Sequence, residues 1–158
     1  LGGRVPPGCS SRAARIVRLV RQMVLGGTMA ERPWMQLSAT VLDAPDPREL
    51  AAFYRRLLSW AVRKDEPDWV TLDSPDGRAA LSFQREPAYQ RPSWPSDASH
   101  QQMMLHLDIE VRDLAAASAH AEACGATLAA FQPQDDVRVF LDPAGHPFCL
   151  WVRTAEDG

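Results

Sequence analysis

The chain has 158 residues, 46% hydrophobic and 23% charged, proportions of a folded globular protein rather than a disordered one. Its formal charge of −3 is uneven: residues 1–28 hold five arginines and no acid, which leaves twelve basic against twenty acidic residues elsewhere, a balance of −8. An acidic body argues against a broad nucleic-acid surface. No apolar run approaches the ~18 residues of a membrane span. Three cysteines without paired spacing (Cys9, Cys124, Cys149) describe no disulfide framework, which fits a reducing, cytoplasmic setting.

The first 28 residues read as a leader. Ile16, Val17, Leu19, Val20 and Val24 make an apolar helical stripe with arginines between them, a pattern shared by membrane-surface helices and transit peptides. Native translation from Met29, which leaves this leader outside the fold, is the preferred expectation; a floppy extension and a targeting segment are the alternatives.

A first module is expected over residues 29–86. Leu37 to Leu42 is a strand-like run. Asp46 supplies a helix N-cap, Pro47 fits the first helical position, and Glu49 stands three after the cap. Leu50, Phe53, Tyr54, Leu57 and Leu58 then fall on one helical face. Strands follow at Trp60 to Arg63, Trp69 to Leu72 and Ala79 to Phe83, the last two joined by the turn Ser74-Pro75-Asp76-Gly77.

Residues 87–102 are a linker punctuated by Pro87, Pro92 and Pro95, in which Trp94 is either a staple over an apolar edge or a pocket lid. A second module over residues 103–153 repeats the order of the first. His106 to Val111 alternates as a strand, and Asp113 caps an alanine-rich helix that stops at Gly125. Thr127 to Phe131, Val137 to Leu141 and Phe148 to Val152 are strands, the last two joined by Asp142-Pro143-Ala144-Gly145. Asp46 matches Asp113 at an offset of 67 and Gly77 matches Gly145 at 68, the mark of an internal repeat. Residues 154–158 form a tail.

The repeat gives an α+β fold of two tandem βαβββ modules, a cupped mixed sheet with helices outside. On the fragments Asp46-Pro47 through Phe53-Tyr54, His106-Leu107-Asp108, Asp142 through Leu150, and Trp94-Pro95 ahead of Gln101-Gln102-Met103, the chain resembles the glyoxalase / bleomycin-resistance / extradiol-dioxygenase (vicinal oxygen chelate) superfamily, in its glyoxalase-like branch.

The resemblance implies a divalent metal held by the first and last strands of each module. The matching positions are Ala39, Leu81 (or Ser82 with a shift of one), His106 and Cys149. Only His106 is an ordinary ligand, and two donors do not make a catalytic site. The expectation is therefore no metal and no cofactor, with Cys149 a small core residue. His146 is expected on an exposed turn, His120 on a solvated helix face, His100 in the linker, and Asp135-Asp136 in a loop.

Two functions are open. The preferred one is sequestration of an apolar or aromatic small molecule in a cup lined by His106, Trp69, Phe83, Trp94, Cys149 and Trp151. The alternative is a lyase, isomerase or dioxygenase of a small oxygenated metabolite, which leaves enzymatic activity undecided. Alternation places His106, Asp108 and Glu110 on one face of their strand, with Leu107, Ile109 and Val111 on the other. The expected partner is a small-molecule ligand, with pairing into a homodimer left open, and with neither nucleic acid nor membrane.

Overall fold

A computed structural model describes residues 33–153. The leader and tail expected over 1–28 and 154–158, Cys9 included, lie outside the described residues. Residues 33–37 carry no strand or helix, and the fold occupies the unit that begins at Ser38.

In β1 (Thr40–Ala44), Leu42 and Ala44 are buried while Val41 and Asp43 are exposed. Period-2 alternation thus gives the strand one core face and one open face. Asp46 ends the extended segment and caps α1 (Pro47–Leu58) by accepting hydrogen bonds from the backbone N–H groups of Arg48 and Glu49. Such a cap contributes about 1 kcal/mol. Ser59, in the left-handed conformation, ends the helix.

Three strands complete the module: β2 (Ala61–Glu66), β3 (Trp69–Asp73) and β4 (Ala80–Arg85). The sheet order is β1-β4-β3-β2, with β1 parallel to β4 and the remaining pairs antiparallel.

The second module has the same topology, order β5-β8-β7-β6, with β5 (Leu107–Val111) parallel to β8 (Pro147–Val152). Between them come α2 (Leu114–Cys124), β6 (Thr127–Leu128) and β7 (Val137–Leu141). Asp113 caps α2, and Gly125, at φ 106°, closes it. β6 is shorter than the run Thr127 to Phe131 suggests because Gln132 takes over the ladder. Its side-chain amide donates to the carbonyls of Ala129 and Val139 and accepts from the Val139 N–H.

The chain is thus two βαβββ modules forming mixed sheets with helices outside. The modules share one core through α1. Phe53 and Tyr54 project from it onto Phe83 of the first sheet and Phe148 of the second, at ring distances of 5.5 to 6.3 Å, and Phe140 stacks on Phe148. All five rings are fully buried. At ~1.5–3 kcal/mol each, their removal from water is a leading stabilising contribution. Arg56 adds a hydrogen bond to the Cys124 carbonyl at the end of α2. No helix among the described residues is long and apolar enough to cross a membrane.

Candidate functional site

The open face of the second sheet gathers a group of polar and thiol side chains. In β5 the apolar Leu107, Ile109 and Val111 pack on the core, and Asp108 and Glu110 are exposed on the opposite side. In β8, Phe148 and Leu150 are buried in the core, so Cys149 and Trp151 share the other face and are half-buried. The parallel register sets Asp108 opposite Cys149.

His106 stands one residue before β5, and its Nε2 lies 3.2 Å from Asp108 Oδ1. The donor atoms of His106, Asp108 and Cys149 all lie within 4.8 Å of one another. Burial, then the negative charge of Asp108 and the hydrogen bond that its carboxylate accepts from the thiol, push Cys149 up to about 11. Cys149 is therefore a protonated thiol at neutral pH, not a free nucleophile. At the next step along the strands, Glu110 pairs with Trp151 in register. Arg153 binds both Glu110 oxygens, at 3.0 and 2.7 Å, and stands 5.6 Å from the centre of the Trp151 ring.

A second polar cluster sits at the β7–β8 turn. Asp142 is fully buried and accepts four hydrogen bonds. The Gly145 and His146 backbone N–H groups bind one oxygen; the Tyr54 hydroxyl and His146 Nδ1 bind the other. His146 Nε2 in turn lies 3.2 Å from the hydroxyl of Tyr89, which donates to the Ala144 carbonyl. Gly145, at φ 99°, leaves room for Arg91, which a side chain there would strike.

The sequence profile of the glyoxalase-like domain family matches residues 39–151. The chain belongs to this family. Solved structures that share the glyoxalase-like fold include the following three. A glyoxalase/bleomycin resistance protein/dioxygenase family enzyme from Burkholderia phytofirmans PsJN is 21% identical, with 75% of this chain and 98% of that chain covered, at a TM-score of 0.59. The fosfomycin resistance protein FosX from Listeria monocytogenes, solved with Mn(II), is 14% identical over 79% of this chain and 95% of its own, also at 0.59. TnmS3, an antibiotic-binding protein from Streptomyces sp. CB03234, is 14% identical over 78% of this chain and 100% of its own, at 0.54. At these identities the likeness is one of fold. No curated protein matches the sequence.

The residues expected to line a cup are dispersed. His106 and Cys149 come together, with Trp151 beside Cys149 on the same face of β8. Trp69 lies on the first sheet, where its indole N–H donates to Thr71 Oγ1, which pairs with Ser82 at 3.0 Å. Trp94 tilts against Phe131 and donates to its carbonyl at 3.0 Å. Phe83 points the other way, into the core, stacked on Tyr54.

Register settles the ambiguous last-strand position in the first module. Ser82 pairs with Val41 just as Cys149 pairs with Asp108, while Leu81 is buried in the core. Three other expectations need correction. Cys149 is not a core residue, because strand alternation turns it to the open face. His146 is half-buried rather than exposed, because Asp142 draws its ring inward. Asp108, absent from the expected cup lining, joins His106 and Cys149 in the structure, on the face that the sequence pattern gives it. His120 is exposed as expected, with Nε2 3.2 Å from the Leu57 carbonyl.

Proposed function

We propose that the chain is a metal-dependent enzyme of the vicinal-oxygen-chelate kind, a lyase, isomerase or dioxygenase of a small oxygenated metabolite, with His106, Asp108 and Cys149 as metal donors. The observation that carries this reading is the clustering of those three side chains. The sequestering role preferred from the sequence rested on there being two donors at most, His106 and Cys149; Asp108 raises the set to three, the number common in catalytic zinc sites.

The donor set suits a divalent ion of borderline softness. An imidazole, a carboxylate and a thiol together fit zinc or a neighbouring transition ion better than magnesium or calcium. Bonds of about 2.0–2.3 Å hold donors within roughly 4 Å of one another, so modest side-chain rotation closes the cluster. Two of the three donors are exposed, which leaves room for a substrate. Family membership and the Mn(II) in the FosX structure support the reading without deciding it.

A bound divalent ion would act as a Lewis acid toward substrate oxygen atoms. The protein's own parts have separate tasks. Asp108, between His106 and the thiol, holds both side chains toward one point. Cys149 gives up its proton on binding, so metal affinity rises with pH. Trp151 supplies an apolar wall, fixed by the Arg153–Glu110 pair.

Elemental analysis of the purified chain after dialysis against zinc tests the proposal. About one ion per chain is expected, lost in both His106→Ala and Asp108→Asn. Protein that stays metal-free, or retains its ion in both variants, returns the balance to sequestration.

A further inference from the structure

An open cleft of about 560 Å³ lies among β1, the connecting segment and the β7–β8 turn. That volume falls in the range of small-molecule pockets. Val41, Met103 and Leu105 give it apolar walls, and Asp43, Glu86, Tyr89 and His146 also line it.

The polar part of the cleft holds two carboxylates and a tyrosine hydroxyl beside the side chains of Gln90, Gln101 and Gln102, whose amides can donate or accept. Asp43 is exposed on the open face of β1, and among the described residues its carboxylate has neither an ion-pair nor a hydrogen-bond partner. Glu86 uses one oxygen to accept from the Ala88 N–H, and no ion pair among the described residues involves it. Tyr89 has a single hydroxyl proton, which the Ala144 carbonyl or His146 takes. Its oxygen can therefore only accept from a ligand. Behind His146 stands the fully buried Asp142 carboxylate, which fixes the ring. The Tyr89 hydroxyl registers this environment: burial first, then the charge of Asp142, push it up to about 12, with Asp43 adding to the rise and Arg91 opposing it.

The glutamine amides suit either sign of partner, so the charge of Asp43 and Glu86 decides, and it favours a ligand that brings hydrogen-bond donors and positive charge. A carboxylate or phosphate would face two carboxylates, and a neutral body would desolvate them without recompense. We propose that this cleft binds small organic cations, with an ammonium head between Asp43 and Glu86 beside the Tyr89 oxygen and an apolar body along Val41, Met103 and Leu105. The inference uses none of the metal donors.

Calorimetric titration of the full chain with 4-phenylbutylamine and its neutral counterpart 4-phenylbutanol tests it. The amine is expected to bind saturably and about fivefold or more tighter than the alcohol, a preference that weakens as salt screens the pair. In Asp43→Asn/Glu86→Gln the preference is expected to vanish with little change in melting temperature. Asp43→Asn alone, at an exposed position, serves where the double variant is unstable, and is expected to at least halve the preference. Equal binding of amine and alcohol, no saturable amine binding, or a preference that survives the substitutions would overturn the proposal. Zinc content measured on the same samples is expected to be unchanged, so this reading and the metal reading fail independently.

Discussion

The Tyr54 hydroxyl donates to Asp142 Oδ2 at 3.0 Å across the boundary between the modules, and both side chains are buried. The bond joins the first helix to the β7–β8 turn, 88 residues away in sequence. It orients the same carboxylate that holds His146.

Tyr54→Phe should therefore destabilise the whole fold, not one module. The loss of a buried hydrogen bond to a charged acceptor costs about 2 kcal/mol. Chemical denaturation of the variant is expected to show one transition, displaced to lower denaturant. An unchanged midpoint would mean that the bond contributes nothing to joining the modules.

Both tyrosines of the chain are held protonated. Tyr54 is raised well above the ordinary phenol value by burial, then by the charge of Asp142 and the hydrogen bond to it; Tyr89 is raised to about 12, again by burial first. A raised folded value means that the native state keeps protons that the unfolded chain releases. The resulting stabilisation is fully present below about pH 10; the Tyr89 share is lost as pH climbs through about 12, and the Tyr54 share as pH climbs well above the ordinary phenol value. Tyrosinate absorbance should be nearly absent from the native protein at pH 10 and appear on unfolding. Half-ionised tyrosines in native protein at pH 10 would contradict the buried network.

Ser82 occupies the first module's counterpart of Cys149, yet its hydroxyl is committed to Thr71. Ser82→Ala should cost about 1 kcal/mol of stability, through one buried hydrogen bond, and leave zinc content untouched. A variant that loses its ion while still folded would bring the first sheet into the metal site.

The modules were legible in the sequence because their signals are local. Asp46 and Asp113 cap helices at the expected positions, and alternation in β1 and β5 sorts core from open face. β6 fell short because a side chain, Gln132, replaced backbone pairing, and propensity carries no trace of that substitution. The site was only half legible. His106 and Cys149 stand at matching strand positions, and Asp108 lay on the same alternating face as His106, but its approach to Cys149 depends on the β5–β8 register. The inward turn of His146 depends on Asp142 in the same turn and on Tyr89 from the linker, so no local pattern announces it. Phe83 faced the core because it alternates with Ser82, a distinction that one residue of register decides.

Cobalt(II) titration followed by absorption tests the central claim most directly, since thiolate coordination adds a sulfur-to-metal charge-transfer band. The wild-type chain is expected to develop that band to saturation at one equivalent. Cys149→Ser is expected to lose the band, and Asp108→Asn to weaken binding by roughly tenfold or more, each with the fold intact. A wild-type protein that takes up no cobalt, or binds it with no sulfur band, would contradict the assignment of His106, Asp108 and Cys149 as a metal centre.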